Sequence, residues 1–229
     1  MSNEQLSPLT PDSQPPRPAL RAWQPNPYIL LLFILLLAAF LRLWQLPALP
    51  PGLNFDEAGS GVAAVEILSG SPKLWWQLGG GQEPFWPYLA ALSTAVLGNI
   101  PLALRLPAAL IGILSVAAVY PLLLALDLGR AEQHRRDSQL IALLTVLGLA
   151  LSGWYLHFSR LGFRAILLPL FSTLAFYFFW RSLKSTFHVS HFTYHVLPNS
   201  QFASLVLASL FTALAIYSYL AARLLPFIP

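Results

Sequence analysis

The sequence predicts an all-α, polytopic membrane protein, and three observations carry that prediction. Hydrophobic residues make up 56% of the chain and charged residues only 10%, against about 45–50% and about 25% in soluble globular proteins. Apolar runs long enough to cross a bilayer recur from residue 28 to residue 220. The basic residues behind the net charge of +4 fall at the ends of those runs and form no stripe. Lipid head groups are therefore better partners for them than nucleic acid. Cysteine is absent, which excludes a disulfide frame, a thiol nucleophile and a Cys-based metal site.

Residues 1–27 hold seven prolines with Ser, Gln and Asn and no apolar periodicity, the composition of a disordered tail. The first span is Tyr28–Leu46, and Arg17 and Arg21 ahead of it favour a cytoplasmic N-terminus. A polar stretch follows, then apolar runs at 84–98, 101–126, 138–156, 163–180 and 202–220. The first of these is short for a crossing and contains Pro84 and Pro87. Held in the interface, it leaves about five transmembrane helices and puts 7 of the 13 Lys/Arg on the cytoplasmic side: Arg17, Arg21, Arg130, Arg135, Arg136, Arg181 and Lys184. Crossing, it leaves 6 there, so the charge rule hardly votes and run length decides. On this topology 28–229 is one membrane domain, and 49–100 is an extracytoplasmic acidic loop with short interfacial helices.

The acidic loop carries the most informative local pattern, "NFDEAGSGVAAVEILSG" at 54–70. Asn54 is placed to cap a helix, with Glu57 as the return partner of a capping box. Val62, Val65 and Leu68 give an apolar stripe suited to a membrane surface. Gly70 and Pro72 end the helix. Asp56 and Glu57 then stand in the first turn, where the helix dipole favours ionised carboxylates. Capping alone explains first-turn acids, so the pattern leaves a structural and a catalytic role open. Downstream, "GGGQEPFWPYL" places Glu83 before a proline and three glycines where backbone can approach a ligand. Arg160, Arg164 and Arg223 fall on the same side of the membrane as Asp56. Arginines at such depth are costly and tend to be functional, although snorkelling beside lipid phosphates accounts for some of them.

Taken together, Asp56-Glu57-Ala58, Glu83-Pro84-Phe85, Gly98 to Arg105-Leu106-Pro107, Ser159-Arg160 and "YSYLAARLLP" at 217–226 resemble the membrane glycosyltransferases of the GT-C type. The resemblance is to bacterial family 39 relatives of the dolichyl-phosphate-mannose–protein mannosyltransferases, and it covers about 28–229. Phe85 stands where that pattern has a second proline, and Glu83 where a basic residue is common. Family members are longer, so the resemblance implies an N-terminal portion of such a domain. It also implies an inverting transfer of sugar from a polyprenyl-phosphate donor to an acceptor at the extracytoplasmic face of the plasma (inner) membrane. In that reading Asp56 is the general base, Glu57 and Glu83 support it or meet the acceptor, and Arg160, Arg164 and Arg223 hold the donor phosphate. The sequence leaves the sugar, the acceptor and the help of a divalent metal open.

Other signals have plainer readings. His188, His191 and His195 would share a helix face, but no Cys or carboxylate accompanies them, and a polar cytoplasmic loop accounts for them. Trp75 and Trp76 suit the membrane interface. A transporter or a non-catalytic scaffold is the alternative of a different class. A transporter would place ionisable groups near the midplane between discontinuous helices.

Overall fold

The computed structural model describes residues 26–77, 81–126, 132–186 and 199–219. The tail through residue 25, the histidines at 188, 191 and 195, and Arg223 lie outside the described residues. Within them the regular elements are helices: α1 (Pro27–Leu43), α2 (Phe55–Leu68), α3 (Phe85–Leu97), α4 (Pro101–Leu126), α5 (Glu132–Leu151), α6 (Gly153–Arg160), α7 (Leu167–Thr186) and α8 (Asn199–Ser218). A single 3₁₀ turn, Arg164–Ile166, leads into α7.

Local chemistry sets the helix ends. The Asn26 side chain accepts the Tyr28 N–H at 2.9 Å, and Pro27 opens α1. At α2 the capping box forms. Glu57 N–H donates to Asn54 Oδ1 at 3.0 Å, and Asn54 N–H donates to Glu57 Oε2 at 3.1 Å. Gly70 follows α2 at φ +89, a left-handed conformation that costs glycine little.

Span lengths depart from the sequence expectation in two places. Pro101–Leu126, Arg164–Leu183 and Ser200–Ser218 are long and apolar enough to cross a membrane. The run 138–156, expected as one span, is divided between α5 and α6, which are bent by 57°. Ser152 and Gly153 stand at the break, a pair that favours kinking. The Ser152 hydroxyl restarts the helix by accepting the Tyr155 N–H at 3.5 Å. The first span is also shorter than expected, because α1 ends at Leu43 after 17 residues, about 26 Å of rise. Gln45 then takes φ +49 and Pro47 follows. By length and composition three of the described helices cross, or four if α5 and α6 form one broken span, where the sequence predicts about five.

α4 is the hub of the bundle and packs on α1, α3, α5, α6 and α7, while α7 pairs with α8. Its buried positions include Ala103, Ala108, Ala109, Gly112 and Ser115, small residues that let helix backbones approach. A methyl group at Gly112 would overlap Ser159 of α6 and lie 3.3 Å from Arg42 Nε of α1, so three helices meet at this glycine. Outward faces remain apolar: Phe33, Leu36 and Phe40 of α1 and Phe202, Val206 and Leu210 of α8 are exposed. Helices that are hydrophobic inside and out suit a lipid environment. The molecule is thus an all-helical protein built for multiple membrane crossings.

Contacts sort the loops to one end of this bundle. Arg160, at the end of α6, bonds carbonyls at the end of α1. Arg164 meets Glu83 just ahead of α3 and lies 5.8 Å from the Tyr219 ring just past α8. Arg105, one turn into α4, pairs with Glu57 of α2. Both ends of α3, a helix of 13 residues, therefore lie at the same end of the bundle.

Candidate functional site

The acidic loop folds onto that end, and its two adjacent carboxylates part company there. Asp56 is exposed, whereas Glu57 is fully buried. Glu57 Oε1 accepts Arg105 Nε at 3.0 Å and the Gly162 N–H at 2.8 Å, while Oε2 accepts Arg105 Nη2 at 3.3 Å and the Asn54 N–H at 3.1 Å. Arg105, equally buried, donates further to the carbonyls of Leu46, Pro50 and Gly52. One ion pair thus ties α2, α4, the loop after α1 and the α6–α7 turn together. With both oxygens engaged, Glu57 positions the acidic helix and does not face an acceptor.

Asp56 opens instead onto a pocket of about 220 Å³, lined also by Ser60, Gln82, Phe163 and Arg164. α2 supplies one wall and the α6–α7 turn another. Gln82 Nε2 donates to Ser60 Oγ at 3.2 Å, and that hydroxyl donates to the Asp56 carbonyl at 2.9 Å, which fixes the loop against the helix. Arg164 Nη1 donates to the Gly81 carbonyl at 2.7 Å and to Glu83 Oε2 at 3.1 Å. Neither bond uses Nη2 or Nε. Glu83 is nearly buried, so it holds Arg164 in place and is not presented to an acceptor.

Arg160 goes elsewhere. It donates to the carbonyls of Leu41 at 2.6 Å, Trp44 at 2.7 Å and Leu49 at 3.1 Å. The last turn of α1 leaves the Leu41 carbonyl without an intrahelical partner. Trp44 is the C-cap and Leu49 lies in the loop beyond, so Arg160 caps the end of α1 instead of lining the pocket. The expectation that it shares a cavity with Asp56 is corrected accordingly; Arg223 lies outside the described residues. Of the proposed set, the fold brings Asp56 and Arg164 to one pocket, with Glu83 behind the arginine.

Protein-family models, curated proteins and solved structures were compared with this chain, and none matches. The site therefore rests on its own geometry. Among the described residues no three His, Asp or Glu side chains converge as a metal cluster would require.

Two buried arginines escaped the sequence-level site. Arg105 appears there only as part of a motif, yet it sits inside an apolar run, where an ionisable residue calls for a partner. Arg42 is also fully buried. Its Nη1 donates to the carbonyls of Ala38 at 3.2 Å and Ala150 at 3.3 Å, its guanidinium lies 5.5 Å from the Tyr155 ring, and Nε and Nη2 find no hydrogen-bond partner among the described residues. Ala150 lies in the last turn of α5, so Arg42 caps the broken helix as Arg160 caps α1.

An apolar groove of about 460 Å³ lies beside the pocket. Pro84, Phe85, Tyr88 and Leu92 line it from the α3 side and Tyr217 from α8. Gln82 of the pocket and Pro84 of the groove are two residues apart, and Phe163 of the pocket stacks edge-on with Tyr219 at 6.3 Å.

Proposed function

We propose that the chain is part of a GT-C type membrane glycosyltransferase, similar to family 39, that moves a sugar from a polyprenyl-phosphate donor to an acceptor at the extracytoplasmic face. The observation that carries this reading is the common pocket of Asp56 and Arg164. In this reading α1, the α5–α6 pair, α4, α7 and α8 make five crossings of the plasma (inner) membrane, with the N-terminus cytoplasmic.

The chemistry follows from the two side chains. The acceptor hydroxyl or amine attacks the anomeric carbon of the donor from the face opposite the phosphate. Its proton passes to the Asp56 carboxylate, which opens onto the pocket. The bond from the anomeric carbon to the phosphate oxygen breaks, the electron pair leaves with the phosphate, and the configuration inverts. Arg164, braced by Glu83 and Gly81, offers its remaining N–H groups to the charge growing on that phosphate. The apolar groove beside the pocket suits the polyprenyl chain.

The test is transfer from a radiolabelled polyprenyl-phosphate sugar by the full-length protein in proteoliposomes. Asp56→Asn is expected to lower turnover by about 10²–10⁴-fold without loss of folded protein. Arg164→Ala is expected to weaken retention of the donor lipid as well. Unchanged transfer by Asp56→Asn removes the base assignment.

One observation favours a second reading. A helix broken by 57° beside the buried Arg42 shares the discontinuous-helix feature of secondary transporters, although Arg42 stands at the end of α1 and not at the midplane. Solute uptake into sealed vesicles that Arg42→Met abolishes and Asp56→Asn leaves intact would select it.

A further inference from the structure

A second hollow on α2, of about 500 Å³, takes no part in the reaction just described. It falls within the roughly 300–1,000 Å³ range of small-molecule sites. Glu66, Lys73, Trp75, Trp76 and Gln77 line it together with Val62. Val62 also lines the Asp56 pocket, so the two hollows share a wall.

Its floor is firmly built. Trp76 is buried and packs edge-on against Tyr88 at 6.1 Å. The Trp76 indole N–H donates to Glu66 Oε2 at 3.0 Å, and Lys73 Nζ donates to the same oxygen at 2.8 Å. Neither bond uses Oε1. A pair of backbone bonds joins Trp76 to Gln82, at 3.2 and 2.8 Å, and closes the loop as a short antiparallel bridge. In extended backbone successive side chains point to opposite faces. Trp76 faces inward, and Trp75 accordingly stands 51% exposed. Gly81 holds φ +107, and a methyl group there would overlap the Trp75 ring. Both conformation and space at this position call for glycine, and its absent side chain is what lets the indole lie against the loop.

An exposed indole that lines one hollow together with a carboxylate, an ammonium and a carboxamide matches the two-sided chemistry of a sugar. The C–H face of a pyranose stacks on an aromatic ring, while its hydroxyls bond to surrounding donors and acceptors. We infer that this hollow is a carbohydrate subsite holding one pyranose unit of the acceptor. The inference rests on the glycosyl-transfer reading for that role. Glu66 lies ten positions beyond Asp56 on the same helix, about 15 Å along its axis. The unit bound there is thus a distal part of an extended glycan or glycoconjugate, and the group attacked lies nearer Asp56. The competing role for Trp75, with the exposed Leu74 beside it, is an anchor in the membrane interface. Such an anchor needs neither a concave wall nor three polar neighbours.

Binding tests this without any transfer, so its outcome is separate from that of the catalytic reading. The full chain in lipid nanodiscs, with no donor present, is applied to an array of neutral and amino-sugar oligosaccharides. A subset is expected to bind. Trp75→Ala and Glu66→Gln should each lower that affinity about tenfold or more, as loss of a central contact does. Trp75→Phe, which keeps a ring against Gly81, should retain most of it. Absence of binding across the array overturns the proposal. So does binding that Trp75→Ala and Glu66→Gln leave intact. Quenching of Trp75 by brominated lipid with no glycan bound assigns the residue to the membrane interface instead.

Discussion

Replacing Arg105 with alanine removes the cation that pairs with Glu57 among the described residues and leaves a fully buried carboxylate with two backbone N–H donors. Breaking a buried pair from one side costs about 3–5 kcal/mol, because the remaining charge keeps its desolvation penalty and loses its compensation. The carbonyls of Leu46, Pro50 and Gly52 lose a donor in the same step, which places Arg105→Ala at the upper end of that range. Glu57→Gln keeps the shape and removes the charge, so it strands Arg105 instead and belongs at the lower end. For a chain of this size each kcal/mol moves the melting temperature by about 2–4 °C, hence about 6–20 °C here. The assay is the fraction of detergent-solubilised protein that remains monodisperse after heating. Because both variants break one interaction, the double variant should fall well short of the sum of the singles. Shifts equivalent to less than about 1 kcal/mol for both singles, or strict additivity, would refute the view that this pair is desolvated and holds the acidic helix in place.

Two further predictions address packing and pH. Gly112→Ala forces a methyl group into Ser159, an overpacking expected to cost about 1–3 kcal/mol; thermal stability should recover when Ser159→Gly is added, and failure to recover would place the strain elsewhere. The Glu66 carboxyl is held below the ordinary carboxylate range by its hydrogen bonds from Lys73 and Trp76. A depressed folded-state value means that its contribution is present above the unfolded pKa and is lost as pH falls through the folded one. The 71–77 loop should therefore loosen on acidification below the usual carboxylate range, seen as faster proteolysis there, and Lys73→Ala should weaken that pH dependence.

Much of this was legible because it is local. Hydropathy and run length specify helices and a bilayer, and Asn54 and Glu57, three residues apart, specify the capping box that the structure contains. The apolar stripe of Val62, Val65 and Leu68 likewise remains exposed. The Ser152–Gly153 break was harder to see, since a continuous apolar run hides a kink whose cause is two residues of backbone preference. Harder still was the division of labour between Asp56 and Glu57. They are neighbours in sequence with the same chemistry, and one helical step of about 100° sends one into a pocket and the other into the protein.

The amino-acid order alone determined an all-helical membrane protein with a capped acidic helix outside its first apolar segment, since solvent preference and hydrogen bonds within a turn act between near neighbours. Only the tertiary structure decided which arginine serves which acid. Glu57 found Arg105 48 positions away, Glu83 found Arg164 81 positions away, and Arg160 was spent on carbonyls at and just beyond the end of α1. Electrostatic partners are chosen by distance and burial in space, and those follow from how small residues on α4 allow its neighbours to approach.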